Sequence, residues 1–168
     1  MKLIIAGTRD FADRFNPWIN GGGGKIVARA LDHPDTPAPE SVDRVISGEA
    51  RGPDKWGESW AEAHRIPVDR YPPEWSKYED HRKPAPYFRN REMAVEGDAL
   101  LAFWDHKSGG TEHMRKVAME EEIPVYTVPM DKLQTREAML TNEDVDPMIY
   151  KHEPHRNATL QEIAETVS

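Results

Sequence analysis

Apolar residues fall along this chain in short blocks separated by glycine, proline and charge. Four blocks are continuous runs of the length of a buried strand: Leu3 to Ala6, Val45 to Ser47, Ala99 to Trp104 and Ile123 to Val128. A fifth, Ile66 to Tyr71, has a proline at its start and predicts an edge strand. Between the blocks the spacing turns helical: Ile26, Val27, Ala30 and Leu31; Trp56, Trp60, Ala63 and His64; Met93, Ala94 and Gly97; Met114, Val117 and Ala118. Strands alternating with helices predict right-handed crossovers and a parallel sheet covered on both faces. The expected fold is α/β, a Rossmann-like three-layer arrangement with a mostly parallel sheet of about five strands and a short C-terminal helical extension.

Breaks in the pattern set the organisation. NPWINGGGG, residues 16–24, cannot continue a helix, because four consecutive glycines cost too much backbone entropy, and it reads as a flexible insertion before the first helix. HPDTPAPES, residues 33–41, connects that helix to the second strand. After Val128 the hydrophobic signal fades, which divides the chain into a Rossmann-like domain over 1–128 and an extension over 129–168. In the extension, Met130 to Met139 predicts a helix and Thr141 to His155 a loop. Asn157 opens a last amphipathic helix carrying Leu160, Ile163, Ala164 and Val167, to pack on the domain or on a partner chain.

Composition narrows the chemistry. A chain of 168 residues can bury a core without disulfides or metal. Its formal net charge of −8 opposes general attraction to DNA or RNA, so nucleic acid is not an expected partner. With no cysteine, thiolate metal sites and cysteine nucleophiles are excluded. The opening MKLIIAGTRD is too short an apolar run for a signal peptide, and no stretch reaches the roughly 20 apolar residues that span a bilayer, so a soluble, cytoplasmic protein without membrane contact is expected. Of the seven histidines, none forms the spaced pair with a carboxylate that a zinc site needs, and Pro154 breaks up His152-Glu153-Pro154-His155; neither metal nor cofactor is expected.

Ligands of open parallel sheets bind beyond the carboxyl ends of the strands, so the loops there carry the candidate residues. After the first strand come Gly7, Thr8 and Arg9: a close turn, a hydroxyl with an amide, and a planar five-donor fork. The same residues also fit a tight turn with an exposed arginine. SGEARGPD follows the second strand, with Gly48 and Gly52 suited to close ligand approach, Arg51 between them, and Asp54 read as a structural, dipole-favouring residue of the first helical turn. After Trp104 come Ser108, Gly109, Gly110 and Thr111, which expose several amides to one point and equally fit an ordinary N-cap. In the preceding helix Arg89 and Arg91 lie about 200° apart, so at most one aims at a given pocket, and Arg89 shares its face with Met93. Trp104 suits either stacking on a base or packing beneath the loop.

The order of these motifs, GTRDF, SGEARGPD, RNREMA, then ALLAFWD followed by SGGT, resembles the SLOG superfamily, most closely its YspA-like, cpYpsA-related branch, over roughly residues 1–128. That resemblance implies a Rossmann-like fold binding nucleotides, nucleotide-derived signals or, in the DNA-processing relatives, single-stranded DNA. SGEARGPD is similar to the DNA-processing segment, with Pro53 replacing an isoleucine. RNREM and SGGT are similar to segments of the LOG phosphoribohydrolases, which cleave the N-glycosidic bond of nucleoside 5′-monophosphates. The comparison sets Arg89 on their catalytic arginine, Gly109, Gly110 and Thr111 on their phosphate loop, and His113 where they carry an essential glutamate.

A carboxylate helps an oxocarbenium-like transition state in a way histidine does not, and Glu112, one residue away, is rotated by about 100°. The expected function is therefore binding, sensing or sequestering, of a nucleotide-derived small molecule, with sequestering of a defence signal by a phage or mobile-element protein as a special case no residue singles out. The alternatives are a LOG-type glycosidase using Arg89 with His113 or Glu112, and single-stranded DNA binding. Self-association into a homo-oligomer is also expected.

Overall fold

The computed structural model describes residues 1–11, 22–73, 85–141 and 144–154. The apolar runs form β1 (Lys2–Gly7), β2 (Arg44–Ser47), β4 (Ala99–Trp104) and β5 (Val125–Pro129), and the weaker run supplies β3 (Val68–Arg70). The helices are α1 (Gly23–Leu31), α2 (Pro53–Ala63), α3 (Ala85–Glu96), α4 (Gly109–Glu120) and α5 (Leu133–Thr141). They cover a sheet ordered β3-β2-β1-β4-β5-β6, in which β6 is Tyr150–His152, parallel from β1 to β5, with β3 at one edge as its proline predicted. This is the expected Rossmann-like, three-layer α/β architecture.

Strand alternation builds the layers. Leu3 and Ile5 of β1, with Val45, Leu101 and Phe103, face α1, α2 and α5; there Ile26, Val27, Leu31, Trp60 and Met139 close the larger half of the core. Ile4 and Ala6, with Ile46, Leu100 and Ala102, face α3 and α4 through Met93, Ala94, Met114 and Val117. β4 is buried along its whole length, as a central parallel strand must be.

Three expectations need correction or fall outside the described residues. First, the sheet has a sixth strand, β6 (Tyr150–His152), antiparallel to β5, where a loop was expected. Tyr-Lys-His at a sheet edge carries no apolar pattern; its pairing is supplied by the open side of β5, which local sequence cannot reveal. Second, Gly23 and Gly24 belong to α1 rather than to an insertion before it. A Cβ on Gly23 would run into the Trp56 ring and one on Gly24 would come within 3.3 Å of the Trp60 amide nitrogen, so these glycines let α1 lie directly on α2. The entropy cost is offset by that packing. Residues 16–21 of the expected insertion lie outside the described residues, as does the helix expected from Asn157 onward. Among the described residues no helix is long and apolar enough to cross a membrane.

Candidate functional site

The chain leaves β1 toward β2 on one side and returns to β4 on the other, so the strand order switches between β1 and β4, the place where α/β sheets open a crevice. A cleft of about 460 Å³ occupies that position. It is lined by the loop after β1, the start of α2, the inner face of α3 and the loop from β4 into α4.

The β1 loop brings Gly7, Thr8, Arg9 and Asp10 to the cleft. Thr8 is buried, and its groups serve the protein itself. Its amide donates to the Phe103 carbonyl at 3.0 Å, its hydroxyl donates to Asp105 Oδ1 at 3.2 Å, and Oγ1 accepts from the Asp105 amide at 3.3 Å. The amide and hydroxyl expected for a ligand instead stitch β1 to β4.

On the α2 side, Arg89 lies 7% exposed in the cleft floor. Nη1 donates to the Gly48 carbonyl at 2.5 Å and the Tyr71 carbonyl at 3.2 Å, and Nε donates to Asn90 Oδ1 at 3.1 Å. Gly48 does not line the cleft. It sits beneath the arginine, where a Cβ would come within 2.6 Å of Nη1 and 2.9 Å of Asp54 Oδ2, so glycine is required for close approach to a side chain rather than to a ligand. Arg51, exposed in the same loop, is not among the lining residues, whereas Ala50 and Asp54 are. Asp54 Oδ2 accepts from the Ala50 amide at 3.3 Å. Burial pushes its carboxyl up from 3.8 to about 6, against the pull of the Arg89 and Arg9 guanidiniums and of loop amides. Burial also lowers the Arg89 guanidinium, with Asp54 acting the other way and Arg9 adding to the lowering.

The β4 loop is organised by Asp105, whose Oδ1 accepts from the Lys107 amide at 2.9 Å and the Ser108 amide at 2.8 Å as well as from Thr8. Burial opposes ionisation of Asp105, yet these donors together hold its carboxyl below the usual range. Ser108 caps α4: Oγ accepts from the Thr111 amide at 3.5 Å and from the Thr111 hydroxyl at 3.2 Å. Lys107, Ser108, Gly110, Thr111 and Met114 line the cleft; Gly109 and Glu112 are exposed and do not. Trp104 packs beneath the loop, donating Nε1–H to the Ser108 carbonyl at 3.1 Å, with the Arg115 guanidinium 4.4 Å from its ring centre. It is not among the residues that line the cleft.

His113 is also outside the lining. Its ring lies 4.3 Å from that of Tyr87, and Nδ1 accepts from the Asn90 amide nitrogen at 3.1 Å. Burial, then Arg91, keeps the imidazole below its ordinary value, which suits a neutral acceptor. The expected rotation between Arg89 and Arg91 is seen directly: Arg91 points to solvent and pairs with Glu120 at 2.5 Å and Glu121 at 3.1 Å. The cleft thus gathers Gly7, Thr8, Arg9, Arg89, Ser108, Gly110 and Thr111 and leaves out Gly48, Arg51, Gly109, Glu112 and His113.

Sequence reasoning missed Asp54, Asn90, Asp105 and Lys107. A carboxylate after a Gly-Pro helix start reads as a cap, and only its burial beside an arginine from another helix marks it otherwise.

The first half of this architecture, β1 through β3, has a counterpart among known families. Residues 1–78 match the YspA, cpYpsA-related SLOG family. The resemblance drawn from GTRDF and SGEARGPD is therefore borne out over that stretch. RNREMA and SGGT lie beyond the matched SLOG residues. No curated protein and no solved structure matches the chain.

Proposed function

We propose that the cleft binds a nucleotide or nucleotide-derived small molecule. Arg89 carries this reading: a guanidinium in the cleft at the switch point, held in place by two carbonyls, with Arg9, Lys107 and the start of α4 lining the same cleft. Three cations around one cleft suit a phosphate or pyrophosphate, and Ala6, Met93 and Met114 contribute its apolar lining. Asp54 and Asn90 also line the cleft, where their oxygens would accept from sugar hydroxyls. The SLOG match of residues 1–78 supports the same ligand class.

Thermal unfolding with AMP, cyclic AMP and ADP-ribose tests the reading: at least one should raise Tm in a concentration-dependent way. Arg89→Ala should abolish the shift, and a shift unchanged by that substitution would remove the arginine from the site. A second reading, N-glycosidic hydrolysis, draws on one observation. His113 and Glu112 do not line the cleft, but Asp54 does, with its carboxyl raised into the range useful for acid–base work. Release of free adenine from AMP, lost in Asp54→Asn, would select hydrolysis over binding.

A further inference from the structure

Outside the cleft lining, beside the loop after β4, three segments meet at one imidazole. His106 Nδ1 donates to Asp131 Oδ1 at 2.8 Å, and the opposite ring nitrogen, Nε2, accepts from the Tyr150 hydroxyl. Asp131 follows β5, and Tyr150 is the first residue of β6, so the contact ties the β4 loop to the C-terminal extension. His106 itself holds a left-handed backbone, φ 61°, which a non-glycine residue adopts only when its surroundings hold it there. Its ring also packs on Trp104 with centres 4.5 Å apart, and Trp104 holds the Ser108 carbonyl.

We infer that Tyr150 and Asp131 are positioning residues for the cleft: through His106 they set where Lys107 and Ser108 stand, and so set affinity for the anionic end of the ligand. The inference rests on the nucleotide-binding reading of the cleft. Its physical basis is continuity. His106 is adjacent to Lys107 and two residues from Ser108; its backbone is in an unfavoured region; and its side chain is fixed at both nitrogens by groups from elsewhere in the fold. Removing one anchor lets the loop relax toward commoner backbone geometry, which shifts Lys107 and the cap of α4 together. The extension then has a role in ligand affinity, although none of its described residues lines the cleft.

The test uses the full chain, with AMP and ADP-ribose as probes. Tyr150 is surface-exposed, so Tyr150→Phe keeps the ring, loses only the hydroxyl and should leave Tm almost unchanged. Calorimetric titration should show either probe binding about 3- to 10-fold more weakly, the effect of one lost hydrogen bond expressed through the loop. The ¹H–¹⁵N signals of Lys107 and Ser108 should move in the unliganded variant. His106→Gly separates backbone from side chain, because glycine accepts the left-handed conformation freely yet makes neither contact. It should weaken binding at least as much as Tyr150→Phe. Wild-type affinity in either variant, or unmoved Lys107 and Ser108 signals in Tyr150→Phe, overturns the positioning role while leaving the binding reading intact. Failure of the wild-type protein to bind AMP, ADP-ribose and cyclic AMP alike overturns both.

Discussion

Two loops at the carboxyl end of the sheet use the same device and put it to opposite ends. In the loop after β2, Asp54 accepts from the Ala50 amide; in the loop after β4, Asp105 accepts from the Lys107 and Ser108 amides. Each carboxylate ties down the turn that leads into a helix. Asp54 is 4% exposed, and burial raises its carboxyl to about 6 despite two nearby arginines. Asp105 is only partly buried and has more donors, and its carboxyl stays below the usual range. Desolvation wins at the first and hydrogen bonding at the second. Asp105 therefore stays ionised at neutral pH and shapes the loop, whereas Asp54 titrates closer to neutrality.

The largest effect should come from cutting the ionised anchor. Asp105→Ala removes the acceptor for two amides and the Thr8 hydroxyl at once, and hydrogen bonds to a charged group are among the stronger ones, so a loss of about 2–4 kcal/mol is expected in urea unfolding. Nucleotide-induced thermal shifts should vanish with it, since Lys107 and the start of α4 lose their support. A loss below about 1 kcal/mol would mean that the loop is held mainly by Trp104 and His106.

Asp54 should show itself in pH dependence. Its folded value is raised above its unfolded one, so the stability it contributes is fully present below about pH 4 and is lost as pH rises through about 6. The rise from 3.8 to about 6 corresponds to about 3 kcal/mol. The unfolding free energy of wild type minus that of Asp54→Asn should fall by about this amount between pH 4 and pH 7. Asp105 has the opposite sign: its contribution is present above about pH 4 and is lost on acidification below it. A wild-type minus Asp54→Asn difference that stays flat from pH 4 to pH 7 would remove the contrast between the loops.

How far the sequence reveals this depends on whether a feature is local. β1, β2, β4 and β5 are legible because an apolar run of strand length has few other uses. The divergence of Arg89 and Arg91 follows from helix geometry alone. Gly23 and Gly24 mislead because the entropy of a glycine run is visible in the sequence while the Trp56 ring that Gly23 accommodates is 33 residues away from it. β6 is invisible for the same reason. At the site, the glycine loops identify the right end of the sheet, but which side chain faces the cleft is settled by long-range partners: Thr8 is consumed by Asp105, Gly48 is covered by Arg89, and His113 turns to Asn90 and Tyr87. Asp54 is the clearest case, a residue whose sequence context fits a cap and whose environment gives it a different value.

The smallest expected effect separates the two helix starts. α4 has a side-chain cap, Ser108, whereas α2 begins behind Gly52 at φ 81° with no side-chain cap. The Ser108 bond to the Thr111 amide is long at 3.5 Å, so Ser108→Ala should cost about 0.5–1 kcal/mol, the low side of the usual range for a cap. Its consequence for binding runs the other way. Ser108 Oγ occupies the Thr111 amide that an incoming phosphate oxygen would otherwise accept from, and removing it exposes that amide at the positive end of the helix. Ser108→Ala should therefore lower Tm slightly while leaving AMP affinity equal to or up to about 3-fold above wild type. Weaker binding would mean that the serine hydroxyl, rather than the amide it caps, meets the phosphate.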